Sequence, residues 1–429
     1  MSSPSSPLTT LTDLAVQAFA SYGSPDQDAL ERLTGAFQSG DPLINEQIRL
    51  SVLSVIGGLP SEQLADAIFA ASDLGELRSR SGELDPMVIQ STGAVRMGPA
   101  GLLTTLFTSA RQQVLFLGLP ADEGTYVRLV LANFDELRRA VRGEKVRSYY
   151  LVGFSGVTPP VDLPIETPWG IARRAPEVRP SFTPGVWFRP TSMILAIPEL
   201  SEVRFDRASS PEMRPIESGL QKVRERALQL FPLSIALATN QQGGAAPVPT
   251  WMTSLSPFIT GFSWSSPLII APPSANVELD FGQVRESSDW SCIVEQRHHA
   301  SIDVSARRIV SAISQRLDAA DKLIDAVMVW ENLVGTRVES TFRVTAALVK
   351  LLQRDKSQRD DARRRLAEIY DVRSRVVHGD LVENEDVRLA ADRAVDTALG
   401  ALRAIYRDRA DFLELKSTAR ADRLLLEEP

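Results

Sequence analysis

The stretch Glu368-Ile-Tyr-Asp-Val-Arg-Ser-Arg-Val-Val-His-Gly-Asp380 decides how the C-terminal part of the chain is read. Leu366, Ile369, Tyr370, Val376 and Val377 recur at helical spacing, so the segment is an amphipathic helix with one apolar stripe. Arg373 lies three residues after Tyr370 and four before Val377, which aims a guanidinium at or beside that stripe. A cation placed there requires a partner or a water-filled groove. His378 follows Arg373 by five positions, roughly 140° further around at about 100° per residue. The two side chains therefore meet only if the helix ends or bends between them. Gly379, a favoured residue just past a helix C-terminus, permits an ending there.

Working outward, proline is absent from Pro273 to the terminal Pro429, and from about Ser301 the chain reads as helices throughout. Asp303–Leu317 forms one. Asp321–Val334 forms a second, with Leu323, Val327, Trp330 and Val334 on one stripe and Gly335 as its stop. Thr336-x-x-Glu339 is a capping-box pattern that opens a third, with Val338, Phe342, Ala346 and Val349 facing inward. Ser357–Val377 is the fourth. Asn384–Arg407 is the fifth, carrying Val387, Ala391, Ala394, Ala398, Leu402 and Ile405. Long amphipathic helices joined by short loops imply an antiparallel bundle.

Upstream the pattern changes. Between 155 and 275 lie 18 of the 27 prolines, which predicts short strands and loops. Tyr149–Phe154, Met193–Ile197, Ser234–Ala238 and Pro267–Ala271 are strand candidates, and Gln113–Leu117 suits a buried strand. Asn133–Arg142 reads as a charged helix and Gln241–Pro249 as a flexible loop. Its Gly-Gly pair lacks the Lys-Ser/Thr step of a phosphate loop. Trp187, Phe188, Trp251, Phe258, Phe262 and Trp264 either fill a β-core or line a ligand cleft. Residues 8–80 read as helices: one with Leu11, Leu14, Ala15 and Phe19 on a face, then Asp26–Phe37, Pro42–Ile56 and Pro60 to about Arg78. The expected fold class is α+β. A helical segment spans 1–95, a mixed α/β, proline-rich domain 96–300, and an all-α helical bundle 301–429.

The net charge of −7 argues against broad adhesion to nucleic acid or anionic lipid. The acid excess sits in the first 300 residues, because 301–429 carries equal numbers of basic and acidic side chains. The single cysteine, Cys292, leaves no internal disulfide and fits a reducing compartment; it reads as a small core residue. Met1–Thr10 is Ser/Pro-rich and uncharged, and no run of about 18 apolar residues occurs, so a cytoplasmic, membrane-free protein is expected. One Cys and three His build no standard zinc spacing, and His298-His299 after Glu295 reads as a surface turn. Neither a metal nor a cofactor is expected.

Chemically, an imidazole beside a guanidinium is what metal-free RNA cleavage needs. The imidazole accepts the ribose 2′-OH proton or protonates the leaving oxygen. The permanently charged guanidinium holds the phosphate and its developing charge, and the Ser374 hydroxyl helps to orient the backbone. The plainer alternative is a histidine on the negative end of the helix dipole, with Arg373 and Arg375 in ion pairs.

The run Ala367-Glu-Ile-Tyr-Asp-Val-Arg-Ser-Arg-Val-Val-His-Gly379 closely resembles the signature of the Apea-like HEPN domain family. So does the preceding layout, with Asp321…Val329-Trp-Glu-Asn-Leu333 on one helix and Phe342–Leu352 on the next. The resemblance covers about residues 300–410 and does not reach the N-terminal 290. It implies a HEPN-type bundle that commonly dimerises, in which the motif Arg and His of both protomers form a composite, metal-independent ribonuclease site. Carried over by position, Arg373 and His378 match that Arg and His, and Ser374 matches the polar position after the Arg. Arg375 falls where the motif is free. Such domains are associated with toxins, antiphage defence and RNA processing, while other members bind or scaffold without cleaving. The departure is in charge. Arg354, Lys356, Arg359, Arg363, Arg364 and Arg365 are interleaved with Asp355, Asp360 and Asp361, which describes a solvated face as well as an RNA track.

The expectation is a metal-independent endoribonuclease with His378 as general acid/base, Arg373 on the phosphate and Ser374 beside them. Arg375, Arg363 and Arg364 would contact RNA, and a homodimer would form through the C-terminal bundle. The N-terminal region would sense or position a protein or ligand trigger. The alternative is a noncatalytic module that dimerises or binds RNA or a protein partner.

Overall fold

The computed structural model describes residues 7–23, 62–77, 87–90, 94–175, 191–206, 218–258, 276–335, 340–380 and 383–426. Within them the chain is mixed α/β, with helices dominating its C-terminal part. No helix among the described residues is long and apolar enough to cross a membrane.

The N-terminal helix Pro7–Gly23 buries Leu11 and Ala15 with Leu14 and Phe19 packed alongside, the face its spacing predicts. Asp26–Phe37 and Pro42–Ile56 lie outside the described residues. The next helix, Glu62–Ala70, ends before Arg78, and a 3-10 turn at Gly75–Leu77 follows. These elements share a core with the helices Pro99–Phe116 and Glu123–Val141. Gln113–Leu117 is therefore the end of a helix and not a strand. Its apolar run continues the 3.6 period of Leu102, Leu103, Leu106, Phe107 and Ala110, and a short apolar run alone cannot distinguish the two. The charged segment Asn133–Arg142 belongs to a helix that starts ten residues earlier, where the Asp122 side chain accepts from the Thr125 N–H at 2.7 Å.

The centre of the molecule is a five-stranded antiparallel sheet in the order Ile165–Thr167, Gly170–Arg174, Met193–Ser201, Val146–Ser155, Val248–Leu255. Successive residues point to opposite faces. Val152, Phe154, Met193, Leu195 and Ile197 join the large core shared with the C-terminal helices. Leu151, Ile194, Ala196, Trp251 and Leu255 face Phe116 on the other side. Trp251 and Phe258 are thus core aromatics, with Trp251 edge-on to Phe116 at 6.1 Å. Trp187, Phe188, Phe262, Trp264 and the strand candidate Pro267–Ala271 lie outside the described residues.

The proline-rich region also holds a long helix, Ser218–Ala238, with Pro232 inside it. Ser234–Ala238, expected as a strand, is its last turn. Leu230, Phe231, Leu233, Ile235, Ala236 and Leu237 are all buried, and a helix buried all round loses the polar face that would mark its period. Packed against it is Phe281–Arg297, opened by a full Asp280/Gln283 capping box. On this helix Cys292 is exposed, a correction to its reading as a core residue; Trp290, Ser291 and Val294 take the inward face instead.

The C-terminal helices are Asp303–Ser314, Ala319–Val334, Ser340–Leu352, Arg359–His378, Asn384–Arg407 and Ser417–Leu426. Leu323, Val327, Trp330 and Val334 are fully buried, and the Trp330 indole donates to the Ala394 carbonyl at 3.1 Å. Val387, Ala391, Ala394, Ala398, Leu402 and Ile405 are buried as their spacing predicts. On Ser340–Leu352 the inward residues are Val344, Thr345, Ala347, Leu348 and Val349, whereas Phe342, expected inside, is 57% exposed. The last helix was not expected. Its Arg420 is completely buried and donates to the carbonyls of Phe412, Asn332 and Leu333 and to Ser301 Oγ.

One buried cluster runs from Val152 on the sheet to Leu424, across the 300/301 position. Polar clamps reinforce it. Arg403 donates to the Leu237 and Thr239 carbonyls at 2.8 and 2.6 Å, and the Gly243 N–H donates to Asp396 Oδ1 at 2.9 Å. The Gln241–Pro249 segment, expected to be flexible, is tied to Asp396 at Gly243 and enters the sheet at Val248. Gly243 and Gly244 take left-handed φ of 73° and 72°, and a Cβ on Gly244 would meet Ile313 and Leu399 within 3.0 Å.

Candidate functional site

Helix Arg359–His378 buries Ala362, Leu366, Ile369 and Tyr370 and runs unbroken through both motif residues. It ends in a left-handed Gly379 at φ 80°. The Gly379 N–H bonds the Val376 carbonyl at 3.2 Å, and the Asp380 N–H bonds the Arg375 carbonyl at 2.9 Å. The helix ending that could have brought Arg373 and His378 together falls after both. Within one copy they diverge by the roughly 140° of five helical steps.

The bundle covers this helix for all but its last turn. Tyr370 is 7% exposed and Val377, two turns later on the same side, is 49% exposed. Arg373 sits where the stripe leaves the core and is half-buried; its Nε is shielded from solvent and has no hydrogen-bond partner. Ser374 is also half-buried, while Arg375 and His378 are exposed. No described residue forms a hydrogen bond or ion pair with His378.

Tyr370 and Glu331 form the floor beside Arg373. The Tyr370 hydroxyl donates to Glu331 Oε1 at 3.2 Å, and its ring lies 5.8 Å from that of Trp330. Burial, and then the Glu331 charge, push the phenol far above its ordinary range, against the opposing pull of Arg373. Tyr370 therefore stays a neutral donor beside the permanently charged Arg373 guanidinium. Glu331 was not picked out by its chemistry, although it lies inside the Val329-Trp-Glu-Asn-Leu333 run. Its partner is 39 residues away, so periodicity alone gives no sign of the pairing.

The remaining sequence candidates separate. Arg364 is ion-paired with Asp361 on the same helix. Arg363 turns the other way, its guanidinium 5.3 Å above the Phe342 ring. The His298-His299 doublet is no surface turn at its first member. His298 is buried between Asp303, 2.7 Å from Nε2, and the Tyr406 hydroxyl, 2.6 Å from Nδ1. Burial lowers its pKa, with Arg226 and His299 adding to the effect and Asp303 opposing it. A cavity of about 430 Å³ lies between residues 239–242 and the Asp396, Leu399 and Arg403 side chains. Its arginine is already committed to the carbonyls of another helix.

Comparison with protein-family models, curated proteins and solved structures finds no match to this chain.

Proposed function

We propose that the protein is a metal-independent endoribonuclease whose active site is built from two copies of the exposed end of helix Arg359–His378. The observation that carries this reading is Arg373. It is a half-buried guanidinium with an unbonded Nε, set where an apolar stripe opens to solvent, and among the described residues it has no carboxylate partner of the kind a structural arginine acquires. The divergence of Arg373 and His378 within one copy supports a composite site, since one copy offers the two groups on different faces. In the proposed reaction the neutral His378 imidazole takes the proton of a ribose 2′-OH. The 2′-oxygen attacks the adjacent phosphorus, the bond to the 5′-oxygen breaks, and that oxygen is protonated by a second imidazole. Arg373 neutralises the charge building on the phosphate oxygens, and Ser374 donates to the strand backbone.

The test uses full-length protein and RNA in EDTA. Arg373→Ala and His378→Ala should each lower cleavage about 100-fold or more while leaving the urea midpoint within experimental scatter. Cleavage that persists in both variants, or a wild-type protein that cuts no RNA, sinks the proposal. In the latter case the noncatalytic module is the better reading.

A further inference from the structure

From the surface leading to Arg373 we infer that Phe342 is a stacking platform for a base of single-stranded RNA, upstream or downstream of the phosphate held by Arg373. The inference rests on the ribonuclease reading and adds to it how the strand is held. Phe342 is 57% exposed on helix Ser340–Leu352, with its ring approached by Arg363 at 5.3 Å. An exposed aromatic ring beside a guanidinium suits a nucleobase, because any base has a π-face to lay on it.

Position and charge tie this ring to the motif. Arg363, Ala367, Ser374 and His378 fall within about 60° of one another around their helix and are all partly or fully exposed, so they form a single open edge that begins beside Phe342. Along that edge Arg363 and Ser374 are about 17 Å apart at about 1.5 Å per residue, a span of a few nucleotides. At the turn where the edge begins, Arg354 and Lys356 are exposed. Among the described residues neither they nor Arg363 pair with a carboxylate, although the segment holds Asp355, Asp360 and Asp361. Asp355 is spent on Ser357 and Asp361 on Arg364. Cations without carboxylate partners and an exposed aromatic ring at this end of the helix suit the alternating phosphates and bases of a strand. Arg364 stands aside from this track.

The experiment uses the full chain carrying His378→Ala, so that bound RNA is not consumed. It is titrated in EDTA at low salt with fluorescein-labelled oligoadenylate and with an abasic ribose-phosphate oligomer of the same length. Adding Phe342→Ala should weaken oligoadenylate binding roughly tenfold, Phe342→Trp should retain it, and neither should change binding of the abasic oligomer. Equal oligoadenylate affinity in the Phe342→Ala protein overturns the stacking inference and leaves the ribonuclease reading standing. Failure of the parent to bind oligoadenylate overturns the inference as well. A shift from dimer to monomer on Phe342→Ala would assign the ring to a contact between copies and also overturn it. Intact stacking in a protein that never cleaves RNA would instead count against the catalytic proposal alone.

Discussion

Arg420 and Arg373 belong to the same group of C-terminal helices, and the surrounding chain treats them in opposite ways. Arg420 is fully buried, and Nε, Nη1 and Nη2 all donate, to three carbonyls and a serine hydroxyl. Burial alone pulls it down to about 10, so it remains a cation at neutral pH. It caps the C-terminal carbonyls of helix Ala319–Val334, where the helix dipole favours positive charge. Arg373 has part of its guanidinium shielded from water, yet among the described residues its Nε has no acceptor. A guanidinium that completes carbonyls contributes to holding the fold. One left half-satisfied at an opening is available to an anion from outside.

That contrast can be broken by experiment. Arg420→Met should cost about 3 kcal/mol or more in urea unfolding, because it orphans several buried acceptors at once. Arg373→Met should stay within about 1 kcal/mol of wild type while abolishing cleavage. If the two variants are equally destabilised, Arg373 is structural after all. A smaller effect concerns His298, whose pKa lies below its ordinary value of 6.5 through burial. The folded state then binds the proton less readily than the unfolded chain. Its contribution is full above 6.5 and declines as pH falls through that value toward the lower folded one, at up to about 1.4 kcal/mol per pH unit. Urea midpoints measured from pH 7.5 to 5 should fall more steeply in wild type than in His298→Gln. Smallest is Tyr370→Phe, which removes one hydrogen bond to Glu331 and should cost about 1 kcal/mol, with less loss of cleavage than Arg373→Ala.

The bundle was legible where one helix face is polar. Leu323–Val334 and Val387–Ile405 were placed correctly because exposed residues mark the period between buried ones. In Ser234–Ala238 burial on every side removes that contrast, so the helical turn has the apolar look of a strand. Phe342 departs from the expected stripe, whose Val338 and Thr336-x-x-Glu339 cap lie outside the described residues, because the buried face is centred on Val344 and Leu348. Arg373 was legible as a conflict between charge and stripe. The burial of His298 was not, since Tyr406 lies 108 residues beyond it. The same distance effect hid the seal made by Arg420, whose acceptors at Asn332 and Leu333 are 88 and 87 residues upstream.

Arg403 reaches back 166 residues to the Leu237 carbonyl at the end of helix Ser218–Ala238. During synthesis at about 5–20 residues per second, that helix waits on the order of ten seconds or more for its last turn to be completed. Over the same interval helix Ser218–Ala238, whose Phe231 already packs on Phe154 of the sheet at 5.2 Å, lacks the C-terminal helices that share its core. The nascent chain therefore carries an uncovered apolar surface until its final third emerges, and premature termination before Arg403 leaves a fragment prone to aggregate.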